Sequence, residues 1–350
     1  MTEPRATLSD AAPQHGPRPL PLFLDMLRSE TAASPDRTAA ALAGLARYQQ
    51  APRAPRRMAP ARRRQGRVRL RDHGGAGRPV VLVPSLINPP TILDLMPGRS
   101  LARWIADSGY RTWLVDWGTP TPNDRETGLA DHVERLLLPL IAQLPEPPIL
   151  VGYCLGGTLS IAAAALGRVA GVATIAAPWR FDGYGAAARA DMAALWHAAR
   201  PACDRLGLVP MEVLQAGFWK LDPARTIAKY EAFAGTGEEA AAMFIAMEDW
   251  ANAGAPLTFT AGAEMFEALL ADDVTGRGAW RVGGRAIDPL SLPCSAVEFV
   301  SLSDRIVPAA SAIGLADRRD LSAGHVGMVV GGGRIRLWQP LVDWLATVPS

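Results

Sequence analysis

The chemistry that can be read from this chain rests on three residues, Cys154, Asp304 and His325. The cysteine stands in Gly152-Tyr153-Cys154-Leu155-Gly156-Gly157-Thr158, after the apolar run Ile149-Leu150-Val151 and before Ala162-Ala163-Ala164-Ala165. That order predicts a strand, a sharp turn and a small-residue helix, with the thiol lifted above the sheet on the turn. The helix N-terminus beside it favours a thiolate and stabilises a developing oxyanion. Backbone N–H groups of Leu155 and of the loop 84–88, at Leu86, are the expected oxyanion donors. Asp304 follows the apolar run 296–300, and His325 follows in Gly324-His325-Val326-Gly327. An acid and then a histidine after the nucleophile is the chain order such an elbow requires. His325 would take the thiol proton, while Asp304 would orient the imidazole, act near the hydroxyl of a second substrate, or both.

The competing residues fit less well. Asp116 follows an earlier strand and precedes the nucleophile in the chain. His15 falls in the polar start, His73 before the first central strand, His132 at the start of a surface helix and His197 in an inserted segment. These histidines read as surface or packing residues. Cys203 and Cys294 read as small apolar side chains. The three cysteines are far apart, without a Cys-x-x-Cys pair, so neither a disulfide framework nor a zinc site is expected. No phosphate-binding loop or dinucleotide fingerprint lies in a strand–turn–helix context, and Gly331-Gly332-Gly333 reads as a loop, so no redox cofactor or metal is expected.

To position these residues the chain needs a sheet. Short apolar runs at 79–83, 112–115, 148–151, 172–176 and 296–300 alternate with helical patterns such as 100–108 and 132–143. Such alternation predicts an α/β fold with a mainly parallel sheet flanked by helices. Between 178 and 290 the strand signal gives way to helical stretches rich in Ala, Met and Trp, read as a mostly helical cap, until a Gly283-Gly284 turn marks a hairpin. Residues 338–347 read as a closing helix. The organisation expected is a helical extension and connector at 1–65, a first core segment at 66–178, the cap at 179–290 and a second core segment at 291–350.

With 350 residues, 49% of them hydrophobic, the chain can bury a large core. Residues 1–20 hold no apolar stretch of signal-peptide length, and no later run is long enough to span a membrane; a cytoplasmic protein is expected. The net charge of +2 conceals a run of nine arginines from Arg53 to Arg71 without an acid. It could meet nucleic acid, an anionic surface or coenzyme phosphates. With no recognised nucleic-acid motif beside it, the favoured reading is a solvated, partly flexible connector over 51–65, and no nucleic-acid partner is expected.

The pattern resembles the polyhydroxyalkanoate synthases, coenzyme-A-dependent polyester polymerases of the alpha/beta-hydrolase superfamily. The likeness runs through Val83-Pro84-Ser85-Leu86-Ile87-Asn88, Ile92-Leu93-Asp94-Leu95, Ser100-Leu101, Asp107-Ser108-Gly109-Tyr110 and Val115-Asp116-Trp117 to the cysteine-containing lipase-like box at Cys154. It continues in Met247-Glu248-Asp249-Trp250, Gly283-Gly284-Arg285, Asp304-Arg305-Ile306-Val307-Pro308 and the His325 segment, covering about residues 65 to 345. The resemblance implies an alpha/beta-hydrolase fold, a Cys154 acyl-enzyme, and transfer of 3-hydroxyacyl groups from coenzyme A to a growing polyester. Its length is similar to the short synthase classes, implying a second subunit or self-association and a place at the polyester granule surface. Two other outcomes stay open: a hydrolase (thioesterase, esterase or depolymerase) with the same three residues, and a non-enzymatic homologue that binds granules or a partner.

Overall fold

The computed structural model describes residues 16–53 and 56–349. His15, with the polar start before it, lies outside the described residues. The chain forms two compact units, one comprising Asp222–Asn252 and the chain up to Arg56, the other Arg57–Leu221 with Ala253 onward.

The larger unit is built on an eight-stranded sheet. Its strands are β1 (Ala61–Gln65), β2 (Val68–Asp72), β3 (Pro79–Val83), β4 (Arg111–Asp116), β5 (Ile149–Tyr153), β6 (Gly171–Ile175), β7 (Ser295–Ser301) and β8 (Arg318–Leu321). Their spatial order is β1-β2-β4-β3-β5-β6-β7-β8, antiparallel from β1 to β4 and parallel from β4 onward. Every residue of β3, β5 and β6 is buried, as expected of strands covered on both faces. Ser100 caps the helix Leu101–Asp107 by accepting from the Arg103 N–H.

The helix after β5, Leu155–Leu166, lies against the sheet at backbone contact. A Cβ on Gly152 would come within 2.4 Å of the Gly157 Cα; on Gly156, within 2.1 Å of the Val83 carbonyl oxygen; and on Gly157, within 2.4 Å of the Ala177 Cβ. Three glycines thus admit this helix to the ends of β5, β3 and β6 at once, and the alanines behind them keep it close. All but its last two residues are buried.

Two elements differ from the sequence reading. The arginine-rich stretch 51–65 is not merely a connector. Arg62, Arg63 and Arg64 form most of edge strand β1, which turns at Gly66 into β2, where Arg71 and Arg69 meet Asp116 at 2.7 and 3.8 Å. Charged side chains on an outer strand discourage pairing with another sheet edge. No apolar alternation marks this strand, which is why a charge pattern hid it. The short strand β8 escaped notice for the same reason, since its Arg318, Arg319 and Asp320 give no buried face.

The inserted region is divided. Helices Ala186–Leu206 and Met211–Leu221, the helical run 259–271 and the antiparallel pair Arg281–Val282 with Arg285–Ala286 belong to the larger unit. Gly283 and Gly284 both have positive φ, the backbone a two-residue hairpin turn needs. Helices Pro223–Phe233 and Glu238–Asn252 instead join the N-terminal helices Leu20–Thr31 and Pro35–Gln50 in the smaller unit. There Gly44 lets two helices cross, a Cβ at that position lying 1.9 Å from the Tyr230 carbonyl oxygen. Phe23, Tyr48, Tyr230, Phe233 and Phe244 form one aromatic cluster. Glu248 accepts from Lys229 and Tyr230, each at 2.7 Å, and Asp249 accepts from Tyr48 at 2.7 Å. The Met247-Glu248-Asp249-Trp250 segment thus helps hold this unit together.

Replacing Gly156 by Ala should force the helix Leu155–Leu166 off β3 and lower stability by about 1–3 kcal/mol, the usual range for overpacking. Urea unfolding followed by circular dichroism measures this; an unchanged midpoint would contradict the backbone contact.

Candidate active site

Cys154 occupies the junction between β5 and the helix Leu155–Leu166 with φ 55° and ψ −134°. A non-glycine residue in this region is strained, and it persists only where its surroundings over-determine it. Here the N–H of Cys154 donates to the Ile175 carbonyl at 2.9 Å, and its own carbonyl accepts from Gly157 at 2.8 Å. With the three-glycine contact behind it, the turn has nowhere else to go. The thiol is held at the carboxyl edge of the sheet, where ligands of open α/β sheets bind.

The other two residues converge on that edge from β7 and β8. His325 Nδ1 lies 2.6 Å from Asp304 Oδ2. The remaining carboxylate oxygen accepts the N–H groups of Ile306 at 2.7 Å and Val307 at 2.9 Å, so Asp304 is fixed by its own loop. Ser301, at the end of β7, donates to the Ala323 carbonyl and ties the two loops together. Both side chains are buried. Burial, the largest single influence on His325, disfavours its charge, but the Asp304 carboxylate and Cys154, each acting through charge and hydrogen bonding, together outweigh it. The imidazole is consequently driven well above its ordinary value, and the cationic form persists through neutral pH.

Loop 84–88 stands beside the elbow because Gly156 packs against the carbonyls of Val83 and Pro84. Leu86 and Leu155, which carry the expected oxyanion donors, are both buried. Ser85 Oγ accepts from the Ile87 N–H at 3.3 Å and shapes that loop. Asp116 is committed elsewhere, to Arg71 and Arg69, and does not meet His325. His132 is not the surface residue expected. It is 2% exposed, its Nδ1 2.7 Å from the Gly128 carbonyl and its Nε2 2.7 Å from Arg67. His73 faces Asp94 at 3.9 Å and His197 is exposed in the helix Ala186–Leu206. Cys203 is buried within that same helix, and burial raises its thiol.

Three further residues support the site without having been singled out from the sequence. Tyr153 packs its ring 4.9 Å from that of His325 and donates its hydroxyl to the His325 carbonyl at 3.3 Å. Tyr184, stacked on Phe181, is driven up first by burial and then by the charges of Cys154 and Asp304, so it belongs to the same neighbourhood. Glu298, inside β7, accepts the N–H groups of Ile313, Gly314 and Leu315 at 3.0, 2.9 and 2.9 Å and so anchors the chain beyond the Asp304 loop. A lone acid in an otherwise apolar strand was the available signal for Glu298. The tyrosines carried none.

A cavity of about 1020 Å³ opens at the opposite edge of the sheet, among Arg78, Arg168, Cys294 and Ser295. It lies at the amino ends of β6 and β7, away from Cys154. Among the described residues no His, Cys, Asp and Glu grouping could hold a metal ion, and no helix is long and apolar enough to cross a membrane.

A strained cysteine on an elbow, with a paired acid and histidine on loops after the last two strands, is an arrangement that points to a class, and the alpha/beta hydrolase family matches residues 73–331. This chain belongs to the alpha/beta hydrolase family. Its curated relatives include the poly(3-hydroxyalkanoate) polymerase subunit PhaC of Haloarcula marismortui, 26% identical over 285 residues, covering 76% of this chain and 60% of that protein. The subunit of the same name from Haloferax mediterranei is 27% identical over 287 residues, covering 77% and 58%. The chain thus matches less than two thirds of the length of either relative. Among solved structures, the monoacylglycerol lipase of Paleococcus ferrophilus aligns with TM-score 0.51 at 15% identity, over 81% of this chain and 99% of that one, a likeness of fold.

Asp304→Asn should let His325 lose its proton at a lower pH than in the parent, because the largest influence raising the imidazole is that carboxylate. An NMR titration of the His325 ring measures it. A titration unmoved by the substitution would show that the pair is not electrostatically coupled.

Proposed function

We propose that this protein is a polyhydroxyalkanoate synthase-like acyltransferase that moves 3-hydroxyacyl groups from coenzyme A to a polyester through a Cys154 acyl-enzyme. The observation that carries the reading is the cysteine on the strained elbow together with the buried Asp304–His325 pair. A serine there would form an oxygen ester. Cysteine exchanges one thioester for another, nearly without change in energy, and the acyl group stays activated for the next attack.

In the cycle the Cys154 thiolate attacks the thioester carbonyl, and the oxyanion turns toward the N–H groups of Leu155 and Leu86. The carbon–sulfur bond to coenzyme A breaks, and the departing thiolate takes its proton from the His325 imidazolium. The neutral imidazole then accepts the proton of a hydroxyl from another hydroxyacyl unit, whose oxygen attacks the acyl-enzyme and releases the Cys154 thiolate. Asp304 spends both oxygens on His325 and its own loop, which favours orienting the base over receiving the second substrate's proton. The cycle calls for no metal or redox group, and coenzyme A enters as part of the substrate. Relatives named as poly(3-hydroxyalkanoate) polymerase subunits support the polyester product and a second subunit; self-association and a place at the granule surface are part of the proposal.

Incubation with 3-hydroxybutyryl-coenzyme A, with free thiol and polymer followed together, tests the reading. Thiol release with polymer is expected, and Cys154→Ala should abolish both, with a loss of at least about 10³-fold. Thiol release accompanied only by free hydroxy acid would instead make the protein a hydrolase with the same three residues.

A further inference from the structure

The arginine hairpin contributes to a cavity that the cycle above does not use. It measures about 500 Å³ and is lined by Arg64, Arg67 and Arg69 together with Leu86, Asn88 and Trp117. Asp116 also lines it, but Arg71 already meets that carboxylate at 2.7 Å, while Arg69 reaches it only at 3.8 Å and remains 40% exposed. Arg64 donates Nε to the Gly66 carbonyl at 2.6 Å.

Arg67 is the least expected of the three. Its side chain is only 14% exposed, and its Nε is buried without a hydrogen-bond partner among the described residues. Nη1 meets Asp124 at 3.1 Å and Nη2 meets His132 Nε2 at 2.7 Å. That histidine cannot neutralise it. Nδ1 of His132 donates to the Gly128 carbonyl, Nε2 accepts from Arg67, and burial drives the imidazole down to about 4. Around the cavity, then, the guanidiniums of Arg64, Arg67, Arg69 and Arg71 face the carboxylates of Asp116 and Asp124, leaving an excess of positive charge. A guanidinium fixed in this way places positive charge at the cavity wall, and the more exposed Arg64 and Arg69 supply donors that suit a planar or tetrahedral oxyanion.

We propose that Arg64, Arg67 and Arg69 form the subsite for the phosphate groups of the coenzyme A thioester. The assignment rests on the thioester reading and adds to it the residues that recognise the nucleotide end of the substrate. The route to the thiol runs along one loop. Trp117 donates its indole N–H to the Pro84 carbonyl at 3.0 Å, and a Cβ on Gly156 would lie 2.5 Å from that same oxygen. Leu86, whose N–H is an expected oxyanion donor, lines the cavity. A nucleotide seated on the arginines therefore has its pantetheine arm directed along residues 84–88 toward Cys154.

Calorimetric binding of coenzyme A, pantetheine and inorganic phosphate, in a Cys154→Ala background, tests this without requiring turnover. Coenzyme A should bind at least about tenfold more tightly than pantetheine or phosphate, as expected for several charge-assisted contacts held together. Arg64→Gln with Arg69→Gln, and separately Arg67→Gln, should each weaken coenzyme A binding about tenfold and leave pantetheine unchanged. Arg63→Gln, exposed on β1, should change nothing. The double variant alters exposed side chains, so it stays informative if Arg67→Gln fails to fold, which melting curves would show. Equal coenzyme A affinity in parent and variants would overturn the subsite, as would pantetheine or phosphate binding as tightly as coenzyme A. A protein that binds coenzyme A through these arginines yet releases no thiol would retain the subsite and lose the synthase reading.

Discussion

The site depends on how closely one helix can approach a sheet. Gly152, Gly156 and Gly157 remove the side chains that would separate the helix Leu155–Leu166 from β5, β3 and β6, and that approach leaves Cys154 only a positive φ. The strain is local, whereas the packing that sustains it spreads across three strands and a buried helix face. Loop 84–88 is placed by the same contact, since the carbonyls that would touch a Gly156 side chain belong to Val83 and Pro84. Cys154 and the loop carrying an expected oxyanion donor are therefore not independent parts.

The other half of the site is assembled differently. Asp304 and His325 stand on loops after β7 and β8, and what fixes them is hydrogen bonding rather than close packing. Ile306 and Val307 hold the carboxylate, Ser301 joins the two loops, and Glu298 anchors the segment that runs on to β8. A buried acid satisfied by three amides is costly to desolvate, and its raised proton affinity records that burial outweighs those bonds. Its position beneath the loop explains why an ionisable group stands inside a strand.

Much of this was legible in the sequence, and the reasons differ by element. The central strands announced themselves as short apolar runs, and the elbow as a cysteine between glycines before an alanine-rich stretch. Asp304 and His325 followed from chain order. What stayed hidden were elements whose residues do not alternate. β1 is mostly arginine, β8 mostly charged, and each lies at a sheet edge where one-sided burial leaves little imprint. The allegiance of Asp222–Asn252 to the N-terminal helices was equally invisible, because aromatic contacts between distant segments such as Tyr48 and Tyr230 leave no local periodicity.

The two halves also differ in how firmly the backbone beneath them is closed. Cys154 rises from a strand hydrogen-bonded on both sides at the centre of the sheet, whereas His325 follows β8, a four-residue edge strand bonded on one side only. Local opening begins where few buried contacts and exposed backbone bonds coincide. Opening of the edge is accordingly expected to free the loop of His325 while Cys154 stays held, an order that amide exchange would report. On that order, losing the Asp304–His325 pair and losing the fold would be separate events, set by strand position.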